Sequence, residues 1–249
     1  MYLKIQTRRI IEFMKGEMPR LIPLQKIRYE FGFGFGNLYH PYIEALKEGE
    51  PTRAAELLEH FYARMSDYLQ KLPVSERLSV QAWRSDDAII AKGMKRYIAA
   101  HQFEPRIDPR EWRKMAEKKV NHLYELRESI ESHGFDPERF GSVIRGPELN
   151  GQHVLLLGGQ NRAAVLAELN WQRIPVAIKS RNENIPHRIS FDRIGDLPLV
   201  RRGVISEETT GNILKRVSDG FTAEKARAHG FPFACTQRAV ITGRCSQEI

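Results

Sequence analysis

The chain has 249 residues, of which 41% are hydrophobic, 9% aromatic and 28% charged, which excludes a disordered tail, a collagen-like repeat and a disulfide-dense scaffold. Lys and Arg number 39 against 31 Asp and Glu, and the resulting formal charge of +8 favours anionic partners: phosphates, nucleic acid or an acidic membrane surface. The basic residues are scattered rather than massed in one block, so most are expected to be solvated surface and a dedicated DNA-binding stripe is not favoured.

The opening MYLKIQTRRIIEFMKG has neither a long apolar stretch nor a small-residue cleavage site, and no run in the chain approaches the roughly 18 apolar residues that span a bilayer. A cytoplasmic protein without membrane insertion is expected. Residues 1–100 read as a mainly helical region. Within it Ala54, Leu57, Leu58, Phe61, Met65, Tyr68 and Leu69 recur at spacings of three and four, which predicts a helix over Arg53 to Leu72 with a core-facing side. The preceding YEFGFGFGN alternates Phe31, Phe33 and Phe35 with Gly32, Gly34 and Gly36. This spacing does not match a dinucleotide-binding loop, and a flexible or β-like segment inserting phenylalanines into the core is expected.

From His101 the pattern changes. Trp112, Ala116, Val120, Leu123, Leu126 and Ile130 follow one another at steps of 4, 4, 3, 3 and 4, an amphipathic helix opened by Asp108 or Pro109 and closed at Gly134. Short apolar runs at Val143-Ile144, His153 to Leu157 and Ile174 to Ile178 read as strands. The last two flank Gly158-Gly159 and an Ala/Leu-rich helix. A strand that ends in glycines and opens into a helix leaves the first helical N–H groups unpaired at the positive end of the helix. Such an end suits a nucleotide phosphate: Gly158 and Gly159 allow close backbone approach, and Arg162 adds a charge-assisted hydrogen bond. The same glycines also serve a tight strand-to-helix connection with Arg162 solvated, and the segment alone leaves both readings open.

Five pieces in order carry a resemblance across about 75 residues, from Phe103 to Ile178. They are Glu104-Pro105-Arg106; Leu126 to Gly134, with Ser129-Ile130 inside it; Val143-Ile144; Gly159-Gln160-Asn161-Arg162-Ala163-Ala164; and Ile174-Pro175-Val176. In this order and spacing the stretch resembles the ParB/sulfiredoxin superfamily. The departures narrow what the resemblance implies. Where sulfiredoxins have a catalytic cysteine and a histidine after the two glycines, this chain has Gln160 and Asn161, which argues against a thiol-based reductase. Where chromosome-partitioning ParB proteins have a Glu-Asn-x-x-Arg box, this chain has only the faint echo Asn182 to Arg188, interrupted by Pro186, and no helix-turn-helix is evident beyond it.

A third branch of the superfamily phosphorylates small molecules. By resemblance to it, the phosphate-binding set is Gly158, Gly159, Gln160, Asn161 and Arg162, with Arg106 from the first piece, and Glu104 takes the place of the base acting on the acceptor hydroxyl. The residue reading of Glu104 also admits a surface carboxylate paired with Arg106 or Arg110. The implied cofactors are a nucleoside triphosphate or diphosphate, ATP foremost, and Mg²⁺. The flanking pieces Asn37 to Tyr42 and Val200 to Ser206 are similar to ParB-like bacterial proteins associated with surface-polysaccharide synthesis, which suggests a sugar or polyol acceptor.

The expected fold is α/β (α+β): the helical region 1–100, a ParB/sulfiredoxin-like domain over 101–190 with a small mixed sheet flanked by helices, and a C-terminal extension over 191–249. The expected function is phosphoryl transfer from a nucleotide to a small hydroxylated acceptor. The alternative is a non-catalytic ParB-like module that binds DNA or CTP. Nuclease activity would require clustered carboxylates, and no pair is evident. The eight histidines show no ligand spacing, and Cys235 and Cys245 lack a zinc pattern, so no metal site formed by the chain alone is expected. Trp171 reads as packing a helix end, and Gly230 to Ile249 as a mobile or loosely packed tail.

Overall fold

The computed structural model describes residues 19–73, 109–135, 144–179 and 185–234. Glu104, Arg106 and both cysteines lie outside these residues. The described chain is a mixed α/β protein in which two small sheets are flanked by helices, as expected.

In chain order the elements begin with β1 (Arg20–Pro23), a 3-10 turn (Leu24–Lys26), β2 (Ile27–Arg28) and a second 3-10 turn (Glu30–Gly32). Helices α1 (Pro41–Lys47), α2 (Pro51–Lys71) and α3 (Pro109–His133) follow. Next come β3 (Ile144–Gly146), β4 (Glu148–Leu149), β5 (His153–Leu155), α4 (Gln160–Glu168), β6 (Arg173–Ile178) and β7 (Arg188–Ile189). A 3-10 stretch (Phe191–Asp196), α5 (Pro198–Arg201), α6 (Glu207–Asp219) and α7 (Ala223–Ala228) complete the described chain.

The first sheet has the order β1-β6-β3, with β1 antiparallel and β3 parallel to the central β6. The second has the order β2-β5-β4-β7 and mixes parallel and antiparallel pairs. Both sheets therefore take a strand from the first thirty residues and one or more from the central segment. Where the sequence suggests one sheet, two form. They meet closely where β3 passes β5: a Cβ at Gly146 would collide with the Leu155 carbonyl, so only glycine fits.

Side-chain periodicity explains the first core. Along β6, Ile174, Val176 and Ile178 are buried while the residues between them are not, the alternation of a strand with one face inward. Ala163 to Leu166 of α4 and Ala116, Val120, Leu123 and Ile130 of α3 close over the same core. So do Ala54, Leu57 and Leu58 of α2. Both helices read from periodicity form, each a little longer than the apolar pattern, and Gly134 ends α3 with φ +72° and its N–H on the Ile130 carbonyl at 2.8 Å.

The glycine-phenylalanine stretch does insert aromatics. Phe33 and Phe35 are almost fully buried, but through a 3-10 turn and a left-handed Phe31 rather than a strand. Phe33 joins Tyr39, Phe61, Met65, Tyr68, Phe221 and Phe231 in an aromatic core. Residues 230–234 differ from the loosely packed tail expected of them: Phe231 is buried in that core, Tyr39 Oη donates to the Pro232 carbonyl at 2.9 Å, and Ala234 N–H donates to Glu44 at 3.1 Å. Upstream, α5 and α6 build a third apolar cluster with β4, β5 and β7, so 191–234 is packed onto the sheets.

Candidate functional site

The turn from β5 into α4 lies beside β3. Gly158 exchanges backbone hydrogen bonds with Arg145, its N–H donating to the Arg145 carbonyl at 3.2 Å and its carbonyl accepting from Arg145 N–H at 3.1 Å. Gly159 caps the helix in the left-handed region at φ +82°, and a Cβ there would lie 2.8 Å from Ile144 Cα. Gly159 is thus required by the approach of β3, irrespective of any ligand, whereas at Gly158 a Cβ would meet only the Arg145 side chain. Gly158 N–H is held by the Arg145 carbonyl.

The donors of the turn lie one step further on. The first helical bond of α4 joins Ala163 N–H to the Gly159 carbonyl at 3.0 Å, so the amides of Gln160 and Asn161 precede the hydrogen-bond ladder at the positive end of the helix. Gly158 to Arg162 are all half-buried. Arg162 is positioned by its own turn of α4, and burial lowers its pKa from the ordinary arginine value. Arg145 lies with its Cγ and Nε against the Cα face of Gly158, where a Cβ would sit 3.3 Å from Cγ.

A residue that the sequence reading leaves among the solvated surface charges also arrives here. Lys119 of α3 donates from Nζ to Asn161 Oδ1 at 3.3 Å and lies over the Tyr42 ring, 5.0 Å from its centroid. Burial lowers its pKa. Cationic side chains from α3 and β3 therefore border one helix start, whose first turn also carries Arg162. No sequence signal marks Lys119, because its partner is 42 positions away.

A second polar cluster resembles a nucleophile site but is wired differently. Arg28, almost fully buried, places Nη2 2.8 Å from His153 Nε2, and Ser218 Oγ lies 3.5 Å from His153 Nδ1. Guanidinium only donates, so Nε2 accepts and the imidazole proton sits on Nδ1, facing Ser218. His153 thus cannot take the Ser218 proton. His40 is structural: Nδ1 accepts Tyr42 N–H at 3.3 Å at the start of α1, and the ring stacks on Phe35 at 4.9 Å. Trp171 packs edge-on against Phe135, as expected of a helix-end tryptophan.

An open groove of about 420 Å³ runs along α3 past Tyr124, Glu125, Arg127, Glu128 and Glu131, and does not include the turn. Its acidic lining disfavours phosphate, so the chemistry of the α4 start, rather than cavity size, marks the candidate site. Among the described residues no helix is long and apolar enough to cross a membrane, and no three His, Cys, Asp or Glu side chains gather into a metal site. Compared with known proteins, the chain matches no family model, no curated protein and no solved structure.

Proposed function

We propose that the chain is a ParB/sulfiredoxin-like nucleotide-binding protein whose α4 start holds the phosphates of a nucleoside triphosphate, ATP foremost. It transfers the terminal phosphoryl group to a small hydroxylated acceptor, such as a sugar or polyol. The carrying observation is the half-buried helix start bordered by Lys119, Arg145 and Arg162. Lys119 bonds Asn161 there, Arg145 lies against Gly158 and the first α4 amides precede the helical ladder, the kinds of group that phosphoryl transfer uses to hold and neutralise phosphate oxygens. In this reading Glu104 accepts the acceptor hydroxyl's proton, the acceptor oxygen bonds to the γ-phosphorus, and ADP leaves. Mg²⁺ enters with the nucleotide and supplies charge neutralisation on its phosphates.

A non-catalytic reading, a ParB-like module that binds CTP or DNA, uses the same phosphate site without Glu104. Duplex binding carried by the net charge of +8 would fall steeply with salt. Thermal stabilisation by ATP, ADP, CTP and GTP, each with Mg²⁺, tests both readings on the native chain and on Arg162→Ala. A ligand bound only to the folded state raises Tm by mass action. Stabilisation that is nucleotide-specific and lost in Arg162→Ala is expected. No shift with any nucleotide overturns nucleotide binding. Binding without turnover in an acceptor screen selects the non-catalytic module.

A further inference from the structure

The connection from β4 to β5 holds the one Asn-Gly pair of the chain, Asn150-Gly151. Both residues are exposed and left-handed, at φ +51° and +66°, in a turn closed by Gln152 N–H donating to the Leu149 carbonyl at 3.1 Å. Among the described residues nothing accepts the Gly151 N–H, and the Asn150 side chain has no partner. The Asn150 amide carbon is thus followed by a backbone nitrogen that no side chain shields and no hydrogen bond engages. Asn170 supplies the contrast. It is also left-handed, at φ +64°, but the nitrogen after it belongs to Trp171, whose N–H donates to the Leu166 carbonyl at 3.0 Å. The ladder beside the Asn150 turn is short, two residues in β4 and three in β5, so the local opening that lets Asn150 rotate requires little free energy.

We propose that Asn150 is a site of spontaneous deamidation, with water as the co-reactant, and that the modification loosens β4. The Gly151 nitrogen attacks Asn150 Cγ: a new N–C bond forms, the Cγ–Nδ2 bond breaks, and the side-chain nitrogen leaves as ammonia with the proton from Gly151. Water then opens the resulting succinimide. Opening at Cγ leaves aspartate in the original backbone; opening at the main-chain carbonyl leaves an isoaspartyl link that runs through Cβ. Either product adds a negative charge to a turn where Glu148 Oε1 already lies 4.0 Å from the Cβ position of Gly151. The isoaspartyl link also lengthens the loop by one backbone atom. Leu149, fully buried, pairs with His153 on one side and Ile189 on the other, and Asn150 N–H donates to the Ile189 carbonyl at 2.7 Å. A loop of altered length at Asn150 therefore disturbs the register of β4 with both neighbours.

The test ages the full-length protein at neutral and at mildly alkaline pH, maps its peptides by mass, and reads isoaspartate by an isoaspartyl methyltransferase assay. Asn150→Gly, which suits the positive φ but has no side-chain amide, is aged beside it. The wild-type peptide containing Asn150 is expected to gain the mass of an amide-to-acid exchange, faster at the higher pH and with the isoaspartyl form present, while the Asn170 peptide lags far behind. Conversion at Asn150 no faster than at Asn170 overturns the site. So does an Asn150 peptide that stays unchanged in the folded chain while the urea-unfolded chain converts, because the turn then protects the amide. Aged wild type is expected to melt below fresh wild type, and aged Asn150→Gly at its fresh temperature. An equal drop in both, or no drop in converted wild type, overturns the loosening of β4.

Discussion

Arg28 Nη2 and His153 Nε2 lie 2.8 Å apart, and because the guanidinium can only donate, this one contact sets the imidazole tautomer and removes the neighbouring Ser218 from the list of nucleophiles. The same guanidinium donates to the Gln25 and Ile27 carbonyls at 2.7 and 3.1 Å and to the Ser218 carbonyl at 3.4 Å. Arg28 therefore ties the β1–β2 turn to the end of α6. Ser218→Ala is expected to leave any phosphoryl transfer unchanged. Arg28→Met is expected to lower stability by several kcal/mol, because it removes a buried donor and orphans these acceptors. Urea denaturation and an activity assay check the pair; loss of activity in Ser218→Ala at full stability would contradict the assigned tautomer.

Acid sensitivity follows from two histidines. Burial pushes His40 down to about 3, and burial, Arg28 and Lys26 lower His153 as well. A depressed pKa means that the folded state binds fewer protons than the unfolded state, so the contribution is complete above the unfolded value near 6.5 and is lost as pH falls below it. For His40 the loss is about 1.4 kcal/mol per pH unit between about 6.5 and about 3. In urea titrations at stepped pH, His40→Asn, which keeps a capping acceptor, is expected to show a correspondingly flatter decline than wild type. Parallel declines would contradict the burial of a neutral imidazole.

Gly159→Ala tests the helix start. It must hold φ +82° and place a Cβ 2.8 Å from Ile144 Cα, so a cost of about 2 kcal/mol or more is expected. Gly36, at φ +76° with nothing within 4 Å, supplies the reference, since alanine there meets backbone strain alone. Equal costs in chemical denaturation would mean that β3 does not press on the turn.

Phe231 sits among Phe33, Phe61, Tyr68 and Phe221, with ring centroids between 5.3 and 6.1 Å. Phe231→Ala is expected to cost about 3–5 kcal/mol. A cost below 1 kcal/mol, read by calorimetric melting, would return residues 230–234 to the status of a tail.

Much of this is readable from the chain because it is local. The spacing of Leu57, Leu58, Phe61 and Met65 writes α2, that of Ala116, Val120 and Leu123 writes α3, and Gly158-Gly159 marks the junction of β5 and α4. Also local, though not read, are the caps of α6 and α7: Ser206 Oγ accepts Thr209 N–H and Thr222 Oγ1 accepts Lys225 N–H, and Ile213, Leu214 and Val217 keep helical spacing. What escapes the sequence is non-local. Two-residue strands such as β2 and β7 exist only through their partners, Phe231 packs without periodicity, and Lys119 reaches Asn161 across three intervening strands of chain order. The role of Gly158 escapes for the same reason, since its N–H is claimed by Arg145 on a separate strand.

The central claim is that phosphates sit at the start of α4, and amide NMR tests it most directly. Titration of the isotope-labelled chain with ATP and Mg²⁺ is predicted to shift the Gln160 and Asn161 amides first and furthest, to leave the Gly158 amide comparatively still because Arg145 already holds it, and to lose these shifts in Arg162→Ala. Shifts centred on the acidic groove of α3, or no saturable shift anywhere, would contradict it.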